Sequence, residues 1–369
     1  MKNGSAKLSV AARLALLSRR TVAAIEPVPE ERRRAILDLP SDPGTHARLL
    51  EALPLFDRVE VRNPPLPSAP PAVLRVAFWN AERCRYFEEA AELLAAVDAD
   101  IVLMAEVDVG MARSGNRHIP ADLAAALGYG YVFGVEFLEL GLGSERERRH
   151  LFGGRNDAGL HGCAILSRHP FRRPMIFRLD EDGAWFDGAR GERRLGGRIA
   201  VGAVVPTAFG DLAVVATHFE SHAGPPDRAG QMGRLAEAVA AWAPGLPAVL
   251  GGDFNTTTLD LPSKAERRRV VEALPGAEAR LADPVPYEPL FEIAASAGYD
   301  WRRCNLAGAV TQRTRRDGTP APPLGRLDWF LTKGLAAESP AVVPATDAAG
   351  QALSDHDIVV VTLGAARSE

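Results

Sequence analysis

The residues able to do chemistry in this chain collect at the ends of apolar runs. In "AVLGGDFNTTTLD", Ala248 to Asp260, an apolar run enters Gly251-Gly252 and then meets Asp253, Phe254 and Asn255. Strand side chains alternate faces, so Asp253 and Asn255 are expected on one side and Phe254 on the other. The two glycines let another backbone or a ligand come close, or permit a bulge. Taken alone, the segment has two readings. It is a turn whose Asp and Asn serve local hydrogen bonding, or a strand end that aims two oxygen-bearing side chains into a cleft. The pattern recurs: "RVAFWN" ends on Asn80, "IVLMAE" on Glu106 and "AVVATH" on His218. "LSDH" sets Asp355 and His356 just ahead of the last apolar run. Asp328 lies inside the apolar run "GRLDWF". An acid there needs a cationic or donor partner, and a histidine is a natural one.

As a set these side chains make one coherent chemistry. Asn80 and Glu106 offer hard oxygen ligands, which suit Mg²⁺ or Mn²⁺ better than zinc or copper. Such an ion polarises a phosphoryl oxygen and stabilises developing charge. Asp253 can accept a proton from water. Asn255 can hold the nucleophile or a phosphate oxygen without adding charge. His356, paired with Asp328, would be favoured as imidazolium and could donate to a phosphate oxygen, with His218 opposite it. A serine triad is the obvious competitor, because Ser354, Asp355 and His356 are adjacent. Neighbouring residues cannot adopt triad geometry, and there is no GxSxG elbow. No GxxxxGK[ST] loop or HExxH motif supports a P-loop nucleotidase or a zinc protease.

The elements that must position this set alternate after residue 72. Apolar runs at 73–80, 100–106, 131–137, 162–167, 174–179, 198–206, 212–219, 248–255, 326–332 and 357–363 read as strands. Helical spacing appears at 85–98, 120–128, 227–243 and 288–298. Consecutive strands without helices across 162–218 require antiparallel pairing. The chain is therefore expected to be an α/β protein of two packed mixed sheets with helices outside, not a doubly wound parallel sheet. Residues 1–71 differ: "AARLALLSRRTVAAI" and "EERRRAILDL" have helical periods, and "NPPLPSAPP" forms a stiff linker. The expected division is a helical N-terminal extension with its linker over 1–71 and a catalytic domain over 72–369.

Bulk properties narrow the partners. The 369 residues are 47% hydrophobic and 24% charged, with a net charge of −4. That composition is globular, with no global positive field for nucleic acid or anionic lipid. Of 43 basic residues only four are Lys, and Arg clusters occur at "SERERRH", "RGERRLGGR" and "RTRR". Arg forks grip phosphates, although solvated surface loops also carry such clusters. Cys84, Cys163 and Cys304 are far apart and in no CxxC spacing, which argues against disulfides and zinc–thiolate sites. No apolar run approaches the ~20 residues of a membrane span. The basic, acid-free start resembles a transit peptide only weakly, and a cytoplasmic protein with an N-terminal helix is expected.

The order "WN", Glu106 ending a strand, "GxAILSR", "TH", "GGDFN", "RLDWF" and "SDH" resembles the endonuclease/exonuclease/phosphatase superfamily over about residues 73–363. The resemblance implies a four-layer α/β sandwich with a metal site at one edge of the two sheets. It implies that Glu106 is the main ligand of Mg²⁺ (or Mn²⁺), with Asn80 beside it and Asp355 near the metal. Asp253 would be the base, or a second metal ligand. Asn255 would orient the nucleophile, His356 would contact phosphate with support from Asp328, and His218 would be the histidine of "TH". "EVDVGMARSGNRH" adds Asp108, Arg113 and Ser114, as in a phosphodiesterase subgroup. A long loop at 136–162 precedes "CAILSR". Arg113, His161 and Arg198 are further candidates for substrate contact, with His222 and Arg228 behind them. The implied substrate is a phosphoester: nucleic acid, phospholipid-derived or a small molecule. The expected activity is phosphodiester hydrolysis. DNA cleavage and a non-catalytic phosphate-binding module are the alternatives.

Overall fold

The computed structural model describes residues 17–18, 20–180, 182–257, 269–270, 272–316 and 324–366. Its strands are β1 (Leu17–Ser18), β2 (Arg20–Val22), β3 (Arg58–Arg62), β4 (Leu74–Asn80), β5 (Ile101–Val109), β6 (Gly130–Glu139), β7 (Leu160–Ser167) and β8 (Arg172–Arg178). They continue with β9 (Arg194–Gly196), β10 (Ile199–Thr207), β11 (Gly210–His218), β12 (Ala248–Asp253), β13 (Asp328–Lys333), β14 (Leu335–Val343) and β15 (Ile358–Ala365). A six-stranded sheet runs β1-β8-β10-β11-β12-β13. A nine-stranded sheet runs β14-β15-β4-β5-β7-β6-β3-β2, with β9 also paired to β6. Both are mixed, as the strand succession requires.

Strand alternation builds the layers. Leu74, Val76 and Phe78 of β4 meet Ile199 and Val201 of β10 and Val214 of β11 in the core between the sheets. Ala77 and Trp79 face the other way, onto a core shared with the helices Phe87–Val97 and Ile119–Leu127. On the far side, Ala213, Val215 and Leu250 pack against the helices Pro225–Trp242 and Leu290–Ser296. Helix, sheet, sheet and helix are thus the four layers. No helix among the described residues is long and apolar enough to cross a membrane.

Gly251 answers the question raised by the double glycine. A Cβ there would lie 2.7 Å from Leu103 Cδ1 of the opposite sheet. Glycine lets the two sheets approach next to the site, rather than forming a bulge. The next inward-facing residue of β12 is Asp253, while Phe254 joins the outer core, as alternation requires.

The segment before the proline-rich stretch contains the helices Glu30–Leu37 and Pro43–Ala52. It also adds β3, which pairs antiparallel with β6, and Val59 joins the core between the sheets. The helical reading of "AARLALLSRRTVAAI" falls partly outside the described residues. Residues 17–18 and 20–22 of it are strand: β1 pairs with β8 and β2 runs parallel to β3. Tertiary pairing overrides a helical spacing of Ala, Leu and Arg. Thr258, Leu259 and Asp260 of the opening motif also lie outside the described residues.

Candidate active site

The site lies where the parallel pairs β4–β5 and β11–β12 end. In β11–β12, His218 stands opposite Asp253; in the antiparallel pair β12–β13, Asp253 stands opposite Asp328. Three titratable side chains therefore share one inward-facing row. Two carboxylates directly opposite each other repel unless a cation separates them. His356 does so: its Nδ1 lies 2.8 Å from Asp328 Oδ2 and its Nε2 lies 3.7 Å from Asp253 Oδ2. His218 Nε2 is also 3.7 Å from Asp253 Oδ2. One carboxylate oxygen is thus flanked by two ring nitrogens. Burial works against the cationic form of His356, but Asp328 and Asp253 outweigh it and hold its pKa well above that of an ordinary histidine.

The nine-stranded sheet supplies the other half. Asn80, at the end of β4, donates through Nδ2 to Asp253 Oδ2 at 2.9 Å and to Glu106 Oε1 at 3.3 Å. Glu106 owes its direction to a register shift between Met104 and Val107 and to a left-handed backbone (φ 53°). It is the one residue of β5 that is not buried. Burial pushes its carboxyl up, but the Arg83 guanidinium, then His218, hold it well below the usual carboxylate range.

Asn255 follows the strand end with φ 49°. Its N–H donates to Asp253 Oδ1 at 2.9 Å and its Nδ2 to the Phe219 carbonyl at 2.8 Å, tying the ends of β11 and β12 together. Ser354 Oγ donates to the Asn80 carbonyl at 2.7 Å, and Trp79 Nε1 donates to the His356 carbonyl at 3.1 Å. Asp355 lies beside this set, where Arg315 bridges it to Glu82: Nη2 is 2.5 Å from Asp355 Oδ2 and Nε is 2.7 Å from Glu82 Oε1.

The expected substrate contacts are engaged inside the protein. Arg113, its side chain 1% exposed, grips Asp108 with Nε at 2.8 Å and Nη2 at 2.9 Å. His161 Nδ1 meets the same carboxylate at 2.8 Å, and Ser114 Oγ donates to it at 3.1 Å. Arg198 pairs with Glu136 and, at 2.9 Å, with Glu220, while its Nη1 stands 2.9 Å from His218 Nδ1. Arg228 forms a fully buried fork with Glu288 at 3.0 and 2.6 Å. Glu288 also accepts from the Thr257 N–H at 3.1 Å and so anchors the loop that carries Asn255. Removing one partner of such a pair strands a charge, at a cost of about 3–5 kcal/mol. Glu288→Ala is accordingly expected to lose about 3–5 kcal/mol in denaturant unfolding. An unchanged midpoint would show that the pair contributes nothing.

Nothing in the sequence singles out Glu82 or Arg83, and Arg315 stands out only as part of the "RTRR" cluster. Glu82, Arg83 and Cys84 form a run of three left-handed residues (φ 43°, 72° and 52°). None of these residue types announces that backbone.

The comparisons agree with this architecture. The profile of the Endonuclease/Exonuclease/phosphatase family matches residues 77–356. An endonuclease/exonuclease/phosphatase from Beutenbergia cavernae is 21% identical with a TM-score of 0.54, covering 80% of this chain and 72% of that one. One from Bacteroides vulgatus is 18% identical with a TM-score of 0.52, covering 80% of this chain and 100% of that one. The catalytic domain of human nocturnin is 18% identical with a TM-score of 0.50, covering 84% of this chain and 97% of that one. A search of curated proteins finds no match. With its profile match running from β4 through His356 and its two-sheet sandwich shared with these structures, the chain belongs to the endonuclease/exonuclease/phosphatase family.

Proposed function

We propose that the protein is a Mg²⁺- or Mn²⁺-dependent phosphodiester hydrolase. The observation that supports this most is the single oxygen Asp253 Oδ2. It lies 3.7 Å from Nε2 of both His218 and His356 and is joined through Asn80 to Glu106. The donors fit a hard cation: Glu106 and Asp253 bring carboxylate oxygens, with no thiolate among them, while Asn80 turns its Nδ2 to both and its Oδ1 accepts from the Glu82 N–H at 3.1 Å. Glu106 would hold the ion, with Asn80 beside it, and Asp355 would lie at its edge. When bound, the cation would neutralise charge on a non-bridging phosphoryl oxygen.

The protein's own groups do the rest. Asp253 takes a proton from the attacking water, whose oxygen bonds to phosphorus as the ester oxygen departs. Asn255 keeps Asp253 aimed through its backbone N–H. His356, oriented by Asp328, presents Nε2 as a donor to the phosphate, and His218 does so from the other side. Arg198 is a positioning residue for His218. Asp253, Asp328 and His356 also lie close enough to be read as a metal cluster. A hard cation prefers oxygen to imidazole, and Asp328 and Asp253 hold the His356 ring protonated, which favours an oriented histidine instead.

A nuclease must neutralise several phosphates. Arg83, Arg113, Arg198 and Arg315 each sit on internal carboxylates, which favours a compact diester over a nucleic-acid track. Bis-p-nitrophenyl phosphate tests the chemistry. Hydrolysis is expected with Mg²⁺ or Mn²⁺, with loss of at least about 100-fold on chelation and recovery on re-addition. Undiminished hydrolysis in chelator would remove the metal from the mechanism. No hydrolysis of any phosphoester, with phosphate binding intact, would leave the binding-module reading. Supercoiled plasmid, abasic duplex, phosphoinositide and sphingomyelin then sort substrates, and efficient nicking alone would make it a nuclease.

A further inference from the structure

The feature that the proposed chemistry leaves unused is Arg83. Its Nη1 lies 3.0 Å from Glu106 Oε2, on the carboxylate assigned to the metal. Its Nε lies 3.4 Å from Glu147 Oε1. It therefore stands between two acids, one in the site and one in the long loop before β7. Its place is enforced, since Glu82, Arg83 and Cys84 are all left-handed. Non-glycine residues in that conformation cost about 1–3 kcal/mol each and persist only where the surroundings over-determine them. Glu147 is equally fixed. It caps the short helix Glu145–His150, with Oε2 accepting from the Ser144 N–H at 2.7 Å and standing 3.7 Å from Arg113 Nη1, which leaves Oε1 toward Arg83.

Glu106 has little capacity to spare. Asn80 donates to Oε1 and Arg83 to Oε2. A guanidinium and a divalent cation on the same carboxylate repel each other, and the arginine has a second acid within reach. We propose that Arg83 is an internal counter-cation that competes with the divalent cation for Glu106, and that cation binding hands it to Glu147. Metal binding and docking of the 139–160 loop are then one linked event. This rests on the metal reading of Glu106 given above.

The test is equilibrium Mn²⁺ binding to the full chain, followed by the electron paramagnetic resonance of free Mn²⁺, with no substrate present. Arg83→Gly is the informative variant. It removes the guanidinium and suits φ 72°, and the relief of that backbone offsets part of the cost of leaving Glu106 and Glu147 without the arginine. It is expected to bind Mn²⁺ roughly tenfold more tightly, a coupling of ordinary size. Glu147→Gln is expected to weaken Mn²⁺ binding several-fold in the parent and to have no effect in Arg83→Gly, because its influence passes through the arginine. Hydrogen exchange across 144–151 should slow on Mn²⁺ addition in the parent but not in Arg83→Gly.

Unchanged or weaker Mn²⁺ binding by Arg83→Gly would overturn the competition. An equal loss from Glu147→Gln in both backgrounds would show that Glu147 acts by charge alone, and would overturn the hand-over. The metal reading has its own control. If Glu106→Gln binds Mn²⁺ as tightly as the parent, that reading fails whatever Arg83 does.

Discussion

Asp253→Asn is expected to lower the turnover of a phosphodiester by about 10²–10⁴-fold, the usual range for losing a positioned general base. The substitution keeps the shape of the side chain. Asn255 N–H still finds an oxygen, and the sheet register that sets residue 253 opposite His218 and residue 328 is a backbone property. What disappears is the proposed proton acceptor, together with the oxygen that accepts from Asn80 Nδ2. KM should move little, because the loss falls on the transition state rather than on ground-state binding. Steady-state and single-turnover kinetics on bis-p-nitrophenyl phosphate read the effect. Retention of activity within about fivefold would take the base role away from Asp253.

Asp328→Asn should be nearly as costly, by about 10²–10⁴-fold, and it carries a pH signature. In the parent, Asp328 and Asp253 raise the pKa of His356 against the effect of burial. The imidazolium is therefore fully present below the ordinary histidine pKa and is lost as pH rises through the elevated one. Activity that needs its donor falls on that alkaline side. With asparagine, the largest raising influence is gone while burial remains, so the alkaline limb moves to lower pH. The ratio of variant to parent rate should fall steadily as pH rises. The same sign applies to stability: the stabilisation that His356 contributes is lost as pH rises through its elevated pKa. Two pH–rate profiles of identical shape, offset only in height, would separate His356 from the chemistry.

Most of the frame was legible because apolar runs of strand length are hard to mistake. β4, β5, β7, β11, β12 and β15 lie where Val, Ile and Leu cluster, and their polar ends mark the site. Sites on strand ends can be read this way, since the apolar run fixes where the chain leaves the core. β14 was missed for a physical reason. It is a half-exposed edge strand carrying Pro340, with no alternation to reveal it. β1 and β2 were read as helix because the partner that makes them strands is distant in sequence. Asn80, Glu106, His218, Asp253, Asp328 and His356 converge as expected. Composition does not reveal that Asp108, Glu136 and Glu220 face Arg113, His161 and Arg198, the candidates for substrate contact. Arg83 escaped notice because the left-handed turn that aims it is formed by Glu, Arg and Cys.

The stitching of β4 to the far end of the chain bears on how the protein is made. Trp79 and His356 are hydrogen-bonded across 277 positions, and Ser354 reaches back to Asn80 across 274. A polypeptide emerging from the ribosome holds Glu106 and Asp253 long before it holds His356. Contacts of such long range form late. Chains clipped before residue 354 lack His356 and both of these ties to β4, and are expected to show no hydrolysis of bis-p-nitrophenyl phosphate.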